Sequence, residues 1–155
     1  MRYNKIIFVS QDDTYRSPVA ATILKRKIKN KDVVVESRGM VVLFPEPANA
    51  KGVEVAKNNG LNLLRHTATQ ISAEDFGVDV LVLVMTERIK KKIYDTYVNA
   101  VNVYSIKEFV GGSGDVEVPY GKSVEEYNDH FLKMDSLIDD VIDRINSLSG
   151  EKINN

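Results

Sequence analysis

In the stretch FVSQDDTYRSPVAATIL, Phe8 to Leu24, an apolar strand runs into a short polar loop and then a helix, and Ser10 is followed six residues later by Arg16. A loop closing on a helix N-terminus turns several backbone N–H groups inward, and with the helix dipole they form a cradle for an anion. Arg16 adds a guanidinium whose planar fork matches two phosphate oxygens. Ser10 stands where a nucleophile would meet phosphorus, while Asp12 and Asp13 place negative charge where the anion would sit. A loop whose polar residues merely cap a helix has the same residue types, so the loop alone leaves both readings open.

The elements that would position these residues follow from periodicity. Lys5 to Ser10 reads as a buried strand and Pro18 to Lys29 as a helix, with Pro18 in its first turn and Ser17 as N-cap. Val33 to Ser37 is a second strand, and Ala48 to Asn59 a second helix stopped by Gly60 in a left-handed conformation. Ser72 to Asp75 opens a helical turn. Asp79 to Met85 is the most apolar strand, Thr86 to Tyr97 a helix carrying Lys90, Lys91 and Lys92, and Val101 to Ser105 a fourth strand. Ser123 and Glu126 form a capping box for a last helix, along which Val124, Tyr127, Phe131, Met134, Ile138, Val141, Ile142 and Ile145 recur at helical spacing. Such alternation predicts an α/β fold with a four-stranded parallel sheet between helical layers, in which ligands bind beyond the carboxyl ends of the strands. The loop from Ser10 to Ser17 falls there.

At 155 residues the chain is expected to form one domain, residues 1–155, with a frayed tail from residue 149. Hydrophobic residues at 43% and a net charge of -1 give no reason to expect nucleic acid or an acidic membrane as partner. The longest apolar run, Val80 to Met85, falls far short of the ~20 residues that span a bilayer, and the N-terminus lacks a signal-peptide pattern, so a cytoplasmic location is expected. There is no cysteine, which excludes disulfides, thiolate metal sites and thiol nucleophiles, and two separated histidines are poor material for a zinc site. Neither a metal nor another cofactor is expected.

FVSQDDTYRSP resembles the signature of the low-molecular-weight protein tyrosine phosphatases, V-C-x-G-N-x-C-R-S-P, and the spacing from Ser10 to Arg16 reproduces their C-x5-R. Further matches follow in order: ESRG at Glu36 to Gly39, PEPANAKGVEVAKNNGLNLLRHTATQIS, Met85-Thr86, and DVEVPYGKSVEEY at Asp115 to Tyr127 against D-i-x-D-P-Y-G-x-S-x-E-E-Y. The likeness covers nearly the whole chain. It implies a phosphate-binding loop from Ser10 through Gln11, Asp12, Asp13, Thr14, Tyr15 and Arg16 to Ser17. It also implies a loop brace of Asp13, Ser17, Ser37 and His66, and cleft walls at Leu43 or Phe44 on one side and Tyr120 on the other. In that family a loop thiolate attacks phosphorus, and an aspartate of the D-P-Y loop protonates the leaving phenolate. The related arsenate reductases share the fold, but their chemistry needs a thiol.

The departures fall in the site. Ser10 occupies the nucleophile position, and a serine hydroxyl is barely ionised without a neighbouring base. Val118 occupies the general-acid position, where the missing assistance is typically worth 10² to 10⁴ in rate, about 3–5 kcal/mol of barrier; Glu117 and Asp115 are the acids near enough in sequence to substitute. Asp12 replaces a glycine that permits close approach to phosphate and would serve a positive φ, Asp13 replaces an asparagine, and Tyr15 replaces a second cysteine, its ring expected inside the loop or over its mouth. His130 is expected on the solvated side of the last helix. An engineered trapping substitution at Ser10 would leave Asp12, Tyr15 and Val118 unexplained. The reading preferred is a pseudophosphatase that binds or regulates, with phosphate, phosphotyrosine or another small ligand at the loop and a protein as further partner. A weakly active or engineered-inactive phosphatase and a purely structural interaction domain are the alternatives.

Overall fold

The computed structural model describes residues 3–119 and 121–149. Among them, strands β1 (Lys5–Ser10), β2 (Val34–Gly39), β3 (Val80–Val84) and β4 (Val103–Ser105) form one sheet in the order β2-β1-β3-β4. Every pairing is parallel, with Ile6 opposite Val35 and Leu81, and Phe8 opposite Ser37 and Leu83. The helices are α1 (Arg16–Lys27), α2 (Ala50–Asn58), α3 (Glu87–Thr96), α4 (Ile106–Phe109) and α5 (Val124–Ser149), with a 3-10 turn at Ala73–Asp75. From β1 the chain crosses to β2 on one side and later returns to β3 on the other. The loop after β1 therefore sits at the topological switch point, where the ends of neighbouring strands diverge and leave a crevice.

Strand alternation divides the core into two layers. Ile6 and Phe8 join Val19, Ile23, Val55, Phe131 and Ile138 on the α1, α2 and α5 side, whereas Ile7, Val9, Val82 and Val84 pack with Ile89 and Ile93 of α3 and with Met40 and Ile71. Along α5, the buried residues Tyr127, Phe131, Met134, Ile138 and Val141 keep the predicted face, and the Ser123–Glu126 box closes with both reciprocal hydrogen bonds. Gly60 is left-handed at φ 82°, as expected for a helix stop. The helical turn predicted from Ser72 is a 3-10 element, Ala73–Asp75, with Ser72 as its N-cap and Asp75 accepting from Ser72 N–H at 2.9 Å.

The element ends differ from the predicted ones by one or two residues, and caps decide several of them. Asn49 and Thr86, whose side chains accept from Gly52 N–H and Ile89 N–H, are N-caps rather than helical residues. Ser17 is not an N-cap: α1 already begins at Arg16, with Tyr15 before it. The short α4 was not expected; its capping box, Ser105 with Glu108, follows directly on β4 and is legible in the sequence.

Tyr15 sends its ring neither into the loop nor over its mouth. It is buried under the loop, edge-on to Tyr127 with ring centroids 5.0 Å apart, and its hydroxyl donates to the Tyr127 carbonyl at 3.2 Å. A Cβ at Gly52 of α2 would lie 2.5 Å from Tyr15 Cδ1. Gly52 thus makes the room that a residue as large as Tyr15 requires. Gly→Ala in a helix ordinarily gains about 0.5–1 kcal/mol, but overpacking costs ~1–3 kcal/mol. Gly52→Ala is accordingly expected to lower the urea midpoint in the native background, and to be neutral or stabilising when combined with Tyr15→Ala; an equal effect in both backgrounds would rule out the contact as the cause.

Candidate functional site

Ser10 ends β1 and Arg16 begins α1, so the residues between them must turn the chain through a tight arc above the sheet. The arc is closed by Asp13, which alone in this loop has a positive φ, 60°. Aspartate and asparagine visit this region more readily than other residues with a Cβ because their short side chains bond locally. The strained position expected at Asp12 is therefore one residue further on. Gly39, at the end of β2, brings a second backbone against the arc: a Cβ there would meet the Asp12 carbonyl carbon at 2.9 Å. Met40 N–H and Val41 N–H then donate to the carbonyls of Ser10 and Gln11, both at 3.0 Å, and extend the pairing into the loop.

Asp13 is fully buried, and its carboxylate gathers the loop's supports. Oδ1 accepts from the Ser17 hydroxyl at 2.7 Å and Oδ2 from Thr69 N–H at 3.0 Å, and Ser37 donates a further hydrogen bond. His66 Nε2 lies 2.6 Å from the Asp13 carbonyl, which can only accept, so that nitrogen carries the proton; it is also 3.6 Å from Oδ2. The four residues predicted to brace the loop, Asp13, Ser17, Ser37 and His66, meet in one place. Burial raises the Asp13 carboxyl above its ordinary pKa, while the Ser17 and Ser37 hydroxyls, His66 and Thr69 N–H act the other way and do not cancel it.

Ser10 is drawn into the same group. Its Oγ is 2.6 Å from Ser17 Oγ and accepts from Asp13 N–H at 3.3 Å. Because the Ser17 proton is given to Asp13, the proton between the two serines belongs to Ser10. Arg16 is 8% exposed, and its Nη1 donates to the Val116 carbonyl at 2.9 Å, which holds the guanidinium in place from the far loop. Asp12 Oδ1 accepts from the Thr14 hydroxyl at 2.9 Å and from Thr14 N–H at 3.3 Å. One amide of the arc is thereby already held by a carboxylate. At the loop's flank, Gln11 shares a hollow with Arg88, Ile89 and Lys92. Lys90 and Lys91 of the basic turn are bound elsewhere, to Glu108 at 2.7 Å and Asp95 at 3.0 Å.

Val118 is half-buried in the segment before α5. Asp115 does not turn toward the cradle to replace an acid; its Oδ1 accepts from Glu87 N–H at the start of α3, at 2.9 Å, and Glu117 is exposed. His130 is not simply solvated: its Nε2 is 2.6 Å from the Glu117 carbonyl, its ring lies 5.3 Å from that of Tyr15, and Nδ1 is buried without a partner among the described residues. Burial lowers its pKa, and the nearby charges of Arg16, Lys133 and Lys107 act in the same direction, against the Glu117 carbonyl. Leu43 and Phe44 are exposed at 84% and 62%, beyond β2, and Tyr120 lies outside the described residues. Gly39 and Gly52, whose missing Cβ atoms let backbone or ring approach the loop, had no assigned role in the sequence; the first lies within the quoted ESRG motif.

A carboxyl whose pKa is raised by folding favours the protonated form in the folded state, so ionised Asp13 subtracts from stability at neutral pH and ceases to do so as pH falls through the carboxylate range. Asp13→Asn keeps the left-handed backbone, can still accept from Thr69 N–H while its amide donates to Ser17, and is expected to raise the urea midpoint at about pH 7, with the gain vanishing near pH 4. A variant that is less stable than the native chain at neutral pH would show that the carboxylate's contacts outweigh its desolvation.

The family model described as low molecular weight phosphotyrosine protein phosphatase matches residues 5–151. The low molecular weight protein-tyrosine-phosphatase PtpB of Staphylococcus haemolyticus is 32% identical over 135 residues, covering 86% of this chain and 94% of its own. The low molecular weight protein tyrosine phosphatase of T. tengcongensis superposes with a TM-score of 0.84 at 35% identity, over 90% of this chain and 98% of its own. A cysteine-to-serine mutant of the YwlE arginine phosphatase, solved with a phosphorylated active-site serine, superposes with the same TM-score at 28% identity, over 95% and 98% of the two chains. With the sheet order, the loop at the switch point and these matches in agreement, the chain belongs to the low molecular weight phosphotyrosine protein phosphatase family.

Proposed function

We propose that this chain is a pseudophosphatase: it receives a phosphate group in the loop from Ser10 to Ser17 and does not turn it over. The observation that carries this is the pairing of Ser10 and Val118, the positions that supply nucleophile and acid in the family, with a fully braced loop and a buried Arg16. The family to which the chain belongs hydrolyses phosphoric monoesters, so a phosphate monoester is the ligand class that the cradle fits. Loop amides, the dipole of α1 and Arg16 would hold the equatorial oxygens, and Arg88 and Lys92 beside Gln11 add positive charge at the flank. Leu43 and Phe44 would flank an aromatic leaving group from an exposed loop. The relative that carries serine in place of its cysteine, and whose serine is phosphorylated, supports the idea that serine here stalls the reaction instead of removing the ligand.

Turnover fails for two separate reasons. Without a thiol the nucleophile must lose its proton as it attacks, and without a carboxyl at residue 118 neither the leaving alkoxide nor the later attacking water has a proton partner. No acid of the adjacent described segment replaces it, since Asp115 caps α3 and Glu117 faces solvent. Among the described residues, no helix is long and apolar enough to cross a membrane. On this reading the role is ligand or partner binding, with phosphotyrosine the first candidate.

Asp12 sets the affinity. A carboxylate ~6 Å from a bound phosphate repels it by on the order of 3 kcal/mol at an effective dielectric of 20, less where solvent screens it. Benzylphosphonate, which carries an aromatic ring and no transferable phosphoryl group, is expected to bind weakly to the native chain and at least about tenfold more tightly to Asp12→Gly, read by titration calorimetry. Steady-state release of nitrophenolate from p-nitrophenyl phosphate is expected to be absent in the native chain and partly restored in Ser10→Cys/Val118→Asp. Sustained native turnover inhibited by vanadate would overturn the reading.

A further inference from the structure

The two serines and the buried aspartate form a directed path for one proton. Asp13 as a carboxylate has only acceptors, so Ser17 must donate to it at 2.7 Å; Ser17 can then only accept from Ser10 at 2.6 Å. The Ser10 proton therefore points away from the cradle and toward a base two hydrogen bonds distant. With an asparagine at residue 13, an amide N–H could donate to Ser17 and let the chain of hydroxyls run the other way, toward Ser10. The carboxylate thus fixes a direction suited to deprotonating a serine. Ser10 and Ser17 are 1% and 0% exposed, which leaves the proton little access to bulk water by another route. Asp13 N–H, 3.3 Å from Ser10 Oγ, supplies a donor to the oxygen that would become negative.

We propose that Ser10 is a phosphoryl acceptor whose proton passes through Ser17 to Asp13, so that the chain is phosphorylated once by an activated phosphate and keeps the phosphoserine. This rests on the reading that the loop receives phosphate groups. In the step, Ser10 Oγ forms a bond to phosphorus as the bond from phosphorus to the leaving oxygen breaks. The leaving oxygen departs with its electron pair as an anion; the Ser10 proton moves to Ser17 Oγ as the Ser17 proton moves to Asp13, leaving a neutral carboxyl. Since Val118 can protonate nothing, the donor must release a weakly basic anion. An acyl phosphate, which releases a carboxylate, or a nitrophenyl phosphate meets this condition, and an alkyl phosphate does not. Removal of the phosphoserine would require water to attack with no base at residue 118, so the modification persists. Asp13 acts through Ser17 and is a positioning residue; Ser10 alone meets phosphorus.

The groups facing Asp13 are Ser17 from α1, Ser37 from β2, and Thr69 and His66 from the segment after α2, and of these only His66 is ionisable. The rate of transfer is expected to rise with pH as Asp13 ionises, and to lose this limb in Asp13→Asn. The full chain, incubated with acetyl phosphate or p-nitrophenyl phosphate, is expected to gain a single phosphoryl group mapped to Ser10 by mass spectrometry, with a burst of nitrophenolate equal to the protein and no later release. Ser10→Ala is expected to gain none. Asp13→Asn and Ser17→Ala, each checked for folding by benzylphosphonate binding, are expected to slow the burst by about a hundredfold or more. Binding of benzylphosphonate without phosphorylation by either donor would overturn the proposal and leave the binding role standing; failure to bind benzylphosphonate would remove that role and the proposal with it. Phosphorylation of Ser10 at a rate indifferent to both relay variants would overturn the proton path, and continuous release of nitrophenolate would overturn retention.

Discussion

The carboxylate of Asp13 is the point on which the loop depends. It is fully buried, sits on a backbone with φ 60°, and collects hydrogen bonds from three segments far apart in sequence, α1, β2 and the stretch at Thr69. Each of these bonds would be worth roughly 1.5–3 kcal/mol as a bond to a charged group, and together they offset part of a desolvation that an isolated buried carboxylate could not bear, without cancelling it. The left-handed turn and the buried charge are one device. The backbone can turn there because the side chain is short and bonds locally, and the side chain is committed because the turn points it into the fold.

Around that anchor, substitutions occur in complementary pairs. Serine at residue 10 is barely ionised without a base, and aspartate at residue 13 supplies an acceptor within two hydrogen bonds of it. Tyrosine at residue 15 is too large for the space below the loop unless α2 offers no Cβ, and Gly52 meets that condition. In each pair the unusual residue meets a partner that accommodates it, Asp13 through hydrogen bonds and Gly52 through the space it leaves. Arg16 fits the same description, held at 2.9 Å by the Val116 carbonyl next to the segment where an acid is missing.

Much of this was legible in the sequence, and the parts that were not share a cause. The strands, the switch-point loop, the α5 face and the Ser123 box follow from periodicity and capping residues that act over a few positions. The convergence of Asp13, Ser17, Ser37 and His66 was read from a family motif, which carries long-range contacts that local pattern does not. Misplaced features were those decided by packing between distant segments. The positive φ was expected at Asp12 because a glycine had been lost there, yet the arc closes one residue later. Ser17 has the residue type of an N-cap, and it lies inside the first turn because its hydroxyl is needed by Asp13 and Ser10. His130 stands on a nominally polar stripe of α5, but the ring of Tyr15 and the Glu117 carbonyl enclose it from outside that helix.

Charge separates the two aspartates of the loop into different roles. Asp12 is only partly buried, and its carboxylate binds the Thr14 hydroxyl and amide, so it competes with any incoming anion for one donor of the cradle. Asp13 faces away from the mouth into its own set of donors, and a phosphate in the cradle would feel it through a ring of hydrogen-bonded hydroxyls that absorb part of its field. Repulsion by Asp12 is relieved by a change of rotamer, whereas the charge of Asp13 is relieved by taking a proton. The first tunes whether an anion enters, and the second is coupled to whatever happens at Ser10 once it has entered.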